Sequence, residues 1–361
     1  MFNRRNFLKT SGAIAMGSML PTFGEASPLF EAFKKSKFPA IGLQTFTVQF
    51  LLGGFGAAAG ATPPDVRAGL KQLADIGIKE LETFGGAGGL YHTYKPKEFA
   101  TIVSDLGMKW ISHHSSGLPR APRAGGPAGG QGGPGAGGQA PAGGAQGGPG
   151  AAPGQGGAPA GAGAPGGAPR QGGGGGFNMA GQRNLRDNLS EIIADGVEGG
   201  WEYVCCASSA ESTMDEIKRT TEMFVKAGEA AKKAKMQFAY HNHQSEFVDI
   251  DGISAYHYVL NQTDKDEVKM EVDLAWATAA GMDPVVMFKE YPGRFPLWHV
   301  KDIDKETKRP APVGTGIVDF KNAFANAKLA GLKHFFIEQD GARDLSGPTA
   351  SVNYLKTNIL G

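Results

Sequence analysis

Five of the eight histidines in this 361-residue chain stand at or just past the ends of short apolar runs. His113 and His114 close one run, His241 and His243 a second, and His299 a third; Glu82, Asp273 and Glu338 hold the same place in three others. Imidazole and carboxylate are the side chains that ligate divalent first-row metals and carry protons near neutral pH. Side chains alternate along a strand, so His241 and His243 share a face, as do Leu297, His299 and Lys301, and as do Phe336 and Glu338. Neighbouring strands lie about 4.8 Å apart, which lets inward groups at consecutive strand ends meet. His241, Asp273, His299 and Glu338 then form a mixed nitrogen and carboxylate site suited to one divalent ion, Mn, Zn, Co or Fe. Any one of them alone reads equally well as a hydrogen-bonded strand residue; four on successive strands read as a metal centre.

Such a centre needs a scaffold that brings the strand ends together. Outside one low-complexity tract, β-prone runs alternate with segments of helical period. The expected strands are Ile41 to Val48, Glu80 to Phe84, Lys109 to His113, Trp201 to Cys206, Gln237 to His243, Val268 to Leu274, Phe295 to Val300 and His334 to Glu338. Helices are expected from Val66, over Lys95 to Leu106, from about Gln182, and over Ser212 to Ala234, Ile253 to Leu260, Phe320 to Ala330 and Pro348 to Ile359. Crossover helices between strands imply a parallel sheet, and eight units close into an α/β fold, the (β/α)8 TIM barrel, whose chemistry lies at the C-terminal strand ends. A doubly wound open sheet is the alternative. It is weakened because Gly53-Gly54-Phe55-Gly56 lacks the Gly-x-Gly-x-x-Gly spacing of a dinucleotide turn.

The chain holds 56 glycines, and 26 of them fall between Ala124 and Gly176 together with 13 Ala and 8 Pro. That tract has no side chain able to repay the entropy of ordering it, so residues 124–176 are expected to be a disordered insertion after strand 3. Arg4-Arg5 followed by Phe7-Leu8-Lys9, a short apolar run and Gly24-Glu25-Ala26 resembles a twin-arginine export signal over residues 1–26. The expectations are therefore use of the twin-arginine export machinery, a periplasmic or extracytoplasmic location, and a single barrel domain over residues 36–361. No segment approaches 18 uninterrupted apolar residues, so no integral membrane span is expected in the mature chain. The formal charge is +1, and loss of Arg4, Arg5, Lys9 and Glu25 would make it −1. Neither value recruits nucleic acid or an anionic membrane. The two cysteines, Cys205 and Cys206, are neighbours in an apolar run and read as small buried strand residues, not as a disulfide framework.

Several segments resemble the sugar phosphate isomerase/epimerase family of xylose isomerase-like TIM barrels. They are Tyr240-His241-Asn242-His243 with Glu246-Phe247, Glu271-Val272-Asp273-Leu274-Ala275-Trp276 leading to Gly281-Met282-Asp283-Pro284, and Tyr291-Pro292-Gly293-Arg294 leading to His299-Val300-Lys301-Asp302. Gly314-Thr315-Gly316 with Asp319-Phe320, and Phe336-Ile337-Glu338-Gln339-Asp340, complete the set. The resemblance implies metal ligation by Asp273, His299 and Glu338. It departs at strand 5, where the family's usual glutamate before Asn is replaced by His241, so a two-glutamate proton shuttle does not carry over. Glu82 or Glu246 could supply the missing carboxylate, and His113 or His114 a proton.

The chemistry this implies is metal-assisted isomerisation, epimerisation or elimination through an enediolate. Glu338, Glu82, His113 and Lys301 are the expected catalytic residues, with Lys301 either neutralising an oxyanion or simply solvated. Glu338 and Glu82 are expected to flank the substrate, unless Glu82 pairs with a Lys or Arg at the barrel rim. His114, His243, Glu246 and Trp276 are the expected substrate-binding residues. Phosphorylated sugars are scarce outside the cytoplasm, so a non-phosphorylated keto-sugar or glycoside is the expected partner. Gly314-Thr315-Gly316 reads better as a tight turn than as a phosphate cradle. A non-catalytic sugar-binding barrel and a metal-dependent phosphodiesterase like the DNA-repair endonucleases are the competing classes; an oligomer is compatible with all three.

Overall fold

The structure, a computed structural model, describes residues 38–53, 64–118 and 182–361. The expected export segment, the Ala124 to Gly176 tract and residues 54–56 of the glycine-rich turn lie outside the described residues. Eight parallel strands close in chain order: β1 Ile41–Gln44, β2 Glu80–Phe84, β3 Lys109–Ser116, β4 Tyr203–Ser208, β5 Gln237–His241, β6 Val268–Asp273, β7 Leu297–Val300 and β8 His334–Ile337. Closure is made by β8 on β1, with Gly42 opposite Phe336. A Cβ on Gly42 would sit 2.6 Å from the Phe335 carbonyl oxygen and 2.5 Å from the Phe336 ring, so this seam requires glycine. An edge-free ring excludes the doubly wound alternative.

Helices cover the outside of the barrel. The longest, Met214–Lys233, starts on Thr213, whose hydroxyl accepts from the Glu216 amide, and buries Ile217, Thr221, Phe224, Ala227 and Ala231 on one stripe. Aromatic and aliphatic groups fill the layer between helices and strands. A smaller apolar plug of Ile111, Tyr203, Cys205, Ala239, Leu297 and Phe336 fills the lower barrel interior. Both cysteines are buried and free, Cys205 in the plug and Cys206 in the outer layer. None of the described helices is long and apolar enough to cross a membrane.

Most strand ends differ from their expected positions by a residue or more, and three of the differences shape the site. β1 stops at Gln44 because the Gln44 side chain turns back to accept from the Phe46 amide, and Thr45–Val48 becomes a 3-10 turn instead of strand. β5 stops at His241, since the Glu246 carboxylate takes the His243 amide at 2.9 Å and draws the chain into a turn. β3 continues to Ser116, three residues beyond its expected end, carrying His113 and His114 inside the strand. The helix expected over Phe320 to Ala330 is broken at Asn326 into Phe320–Ala325 and Ala327–Ala330.

Candidate active site

β6 runs straight into the helix Leu274–Ala279, and Asp273 is the junction. Its Oδ1 accepts from the Ala275 and Trp276 amides at 2.9 Å each, leaving Oδ2 buried without a hydrogen bond. On the next strand His299 is fully buried. Its Nδ1 lies 2.9 Å from Glu338 Oε2 and 4.0 Å from Asp273 Oδ2. One ligand atom from each of Asp273, His299 and Glu338 falls within 4.8 Å of the others.

Lys301 reaches the same place from two residues further along. It is 1 % exposed, and its Nζ lies 2.6 Å from Glu338 Oε2, 2.8 Å from Asp340 Oδ2 and 3.3 Å from Asp273 Oδ2. A solvated lysine is thereby excluded. Burial would drive off its proton, but the three carboxylates outweigh burial and hold the ammonium well above its ordinary pKa. Burial likewise raises the Glu338 carboxyl, and the charges of Lys301 and His299 reverse that and lower it strongly. Asp340, the most exposed of this set, keeps a raised pKa because burial dominates there.

The other face of His299 meets a second cluster. Nε2 lies 2.7 Å from Glu82 Oε1, which also accepts from the Gln44 amide at 2.8 Å. His114 Nε2 sits 2.6 Å from Glu271 Oε2 and 3.0 Å from Glu82 Oε1, and His241 Nδ1 lies 3.2 Å from Glu271 Oε2. Against the desolvation that disfavours a charged ring, Glu82 and Glu271 raise His114 to about 9. His241 is pushed well below its usual value by burial, with the positive charges of the His299 and His114 rings adding to it. Glu82 is lowered despite its burial, by His114 and His299, whereas burial and the Glu82 charge leave Glu271 raised.

Several expected positions are corrected by this arrangement. His241 does not join Asp273, His299 and Glu338: the β5–β6 register sets it opposite Glu271, two residues and about 6.6 Å along the strand below Asp273. Glu82 and Glu338 do not flank an open space; the His299 ring stands between them, each on one nitrogen. Nor does Glu82 pair with a Lys or Arg at the rim, being fully buried against imidazoles. His113 faces away from the interior, because its neighbour His114 faces in. It lies 2.8 Å from Thr83 Oγ1, stacks on Trp201, and is pushed down to about 3 by burial. A ring shut into the helix layer has no path to a substrate.

At the mouth, His243 is half-exposed beside Glu246, and Trp276 lies under Lys301, whose Nζ is 5.0 Å from the ring centre. Trp276, Gln244 and Lys308 border a cavity of about 320 Å³, within the size range of small-molecule pockets. The Gly314 and Gly316 amides both donate to Asp302 Oδ2, at 3.0 and 2.8 Å, so this loop is a turn closed on a protein carboxylate. Glu271, Asp340 and Gln44 were not expected in the site. Glu271 and Asp340 were legible in principle, each standing two residues from an expected ligand and hence on the same face. Glu211, just past β4, was missed for want of any flanking pattern. Tyr240 Oη donates to it at 2.6 Å, and burial, reinforced by Glu246, pushes its carboxyl up to about 7.

No curated protein matches the chain. Two sugar phosphate isomerase/epimerases from Parabacteroides distasonis share the fold. One is 22% identical with a TM-score of 0.58, covering 90% of this chain and 97% of that one. The other is 20% identical with a TM-score of 0.63, covering 89% and 100%. The IolI protein with a bound zinc atom is 11% identical with a TM-score of 0.53, covering 89% and 98%. At these identities the likeness establishes the fold. Residues 176–351 match the family described as xylose isomerase-like TIM barrel, and the closed eight-stranded ring is the fold of that family.

Proposed function

We propose that the chain is a divalent-metal-dependent isomerase, epimerase or carbon–oxygen lyase acting on a non-phosphorylated keto-sugar or glycoside outside the cytoplasm. The observation that carries this reading is the convergence of Asp273 Oδ2, His299 Nδ1 and Glu338 Oε2 at adjoining strand ends. The unbonded, buried Asp273 Oδ2 and a donor set of one imidazole and two carboxylates fit a Mn, Co, Fe or Zn ion. IolI, of the same fold, carries zinc. When bound, such an ion polarises a substrate carbonyl and acidifies the adjacent C–H.

The chain's own groups have distinct tasks in this reading. The helix amides hold Asp273 in one orientation, and Glu82 holds the His299 ring from its far nitrogen. Glu338, ionised at neutral pH, takes the proton. The enediolate charge that this leaves on the substrate falls beside the Lys301 ammonium. Glu338, once protonated, hands the proton back to the enediolate, and Asp340 helps to hold the Lys301 ammonium in place. Trp276, His243 and Glu246 border the mouth where the rest of a sugar would lie, with His114 beneath. The Asp302 carboxylate already occupies the loop amides that a phosphate would need, which supports an unphosphorylated substrate, as does the export-like N-terminus.

Proton NMR of keto-sugars in D2O with the metal-loaded protein tests the reading. Solvent deuterium is expected at one carbon of a turned-over sugar, and Asp273→Ala and Glu338→Ala should each slow exchange by at least about 10²-fold while the fold is kept. A panel of keto-sugars that binds without exchange or product would favour a sugar-binding role instead and end this proposal.

A further inference from the structure

The cluster beneath His299 has the makings of a site in its own right. His114, His241 and Glu271 come from three different strands, β3, β5 and β6, so the ligand atoms are placed by the barrel and not by loops. Glu271 Oε2 lies 2.6 Å from His114 Nε2 and 3.2 Å from His241 Nδ1, and these atoms, with a His299 nitrogen, fall within 4.8 Å of one another. Two buried atoms of the cluster make no hydrogen bond. His241 is 2 % exposed, yet its Nδ1, aimed at Glu271, makes no hydrogen bond; Glu271 Oε1 is buried and equally unbonded. A buried nitrogen and a buried carboxylate oxygen left unsatisfied in one cluster are costly unless something else completes them.

We propose that His114, His241 and Glu271 hold a divalent cation of the zinc class, separate from the ion assigned to Asp273, His299 and Glu338. Two imidazoles and one carboxylate form a ligand set that favours zinc, whereas the outer trio, with two carboxylates, suits harder ions. Charge is balanced in such a site: Glu271 and the adjacent Glu82 carry two negative charges, and a divalent ion among neutral imidazoles supplies two positive ones. Glu82 serves as the outer partner, 3.0 Å from His114, and the Cys205 thiol donates to Glu271 at 3.2 Å. His299 separates the two ions. With its Nε2 on Glu82 and its Nδ1 toward Asp273 and Glu338, one neutral ring serves the outer site while closing the inner one. The inner ion would thus set the floor of the active site and the orientation of His299.

The inference is independent of any sugar chemistry, since zinc binding is measured without substrate. The full-length protein is stripped with a chelator, titrated with zinc chloride alone, and analysed for bound metal. The zinc bound first should show two imidazole nitrogens by X-ray absorption; a single imidazole would place it in the outer trio and overturn the proposal. Asp273→Asn/Glu338→Gln should still hold one zinc per chain, and adding Glu271→Gln to that variant should abolish it. Loss of all zinc from the outer double variant, with its circular dichroism unchanged, would equally refute the inner site. The wild-type absorption measurement stands even if the Glu271 variant fails to fold.

Discussion

The two tiers around His299 contain much the same kinds of group and reach opposite electrostatic solutions. In the outer tier three carboxylates gather about one ammonium, Lys301, close to the mouth. In the inner tier two carboxylates gather about three imidazoles, one pleat further down and closed off by the apolar plug. A lysine has no lone pair to offer while it stays protonated, so the outer tier can take a metal only beside a fixed positive charge. Imidazoles can exchange protons for a metal, so the inner tier can carry its charge in either form. Depth and ligand type vary together. On the readings proposed above, the tier nearer solvent stabilises transient negative charge and the deeper one holds a permanent ion.

The comparison breaks most severely at Lys301. Lys301→Met leaves Asp273 and Asp340 without a counter-charge and Glu338 with His299 alone, a loss of roughly 3–5 kcal/mol for a buried pair stripped of one member. We expect a melting temperature lower by on the order of 10 °C and turnover reduced by about 10²-fold or more. Adding Asp340→Asn should recover part of the stability and none of the turnover. A single variant melting within about 1 °C of wild type would show that the outer tier does not depend on this cation.

Glu82 tests the inner tier. Glu82→Gln keeps the Gln44 contact within reach but removes the charge that His114 and His299 share. Stability should drop by about 2–3 kcal/mol, with turnover down roughly tenfold because His299 loses its brace. If turnover fell while thermal melting stayed unchanged, Glu82 would instead be the proton carrier that its position at a strand end first indicated.

The last effect, on stability alone, belongs to the rim, outside both tiers. The Glu211 carboxyl titrates near 7 in the folded chain against an ordinary 4.5, because it is buried beside Glu246. Between those values the folded state keeps a proton that the unfolded state has released, so stability declines as pH rises from 4.5 to 7 and the penalty is complete above it. Glu211→Gln removes the penalty. The unfolding free energy should be unchanged at pH 4.5 and higher in the variant at pH 8, by no more than about 3 kcal/mol, with melting following it. Equal melting at both pH values would mean that Glu211 is solvated.

Much of this molecule was legible from residue pattern alone. Alternating apolar runs and helical stripes are local properties, so eight strands, their order and the closed barrel follow from them, and β2 has the expected limits, Glu80–Phe84. Polar groups at strand ends mark where the chemistry gathers, and Asp273, His299, Lys301 and Glu338 do lie together. Pattern could not say which strand residue stands level with which. The β5–β6 register sends His241 to Glu271, a pairing fixed by barrel stagger and not by either strand's sequence. Nor could it say which of two adjacent histidines points inward. A shift in the β2–β3 register between Leu81 and Glu82 settles that, putting His114 among the carboxylates and His113 against Trp201. Register and facing depend on hydrogen bonds between strands distant in sequence, and those exist only once the barrel has closed.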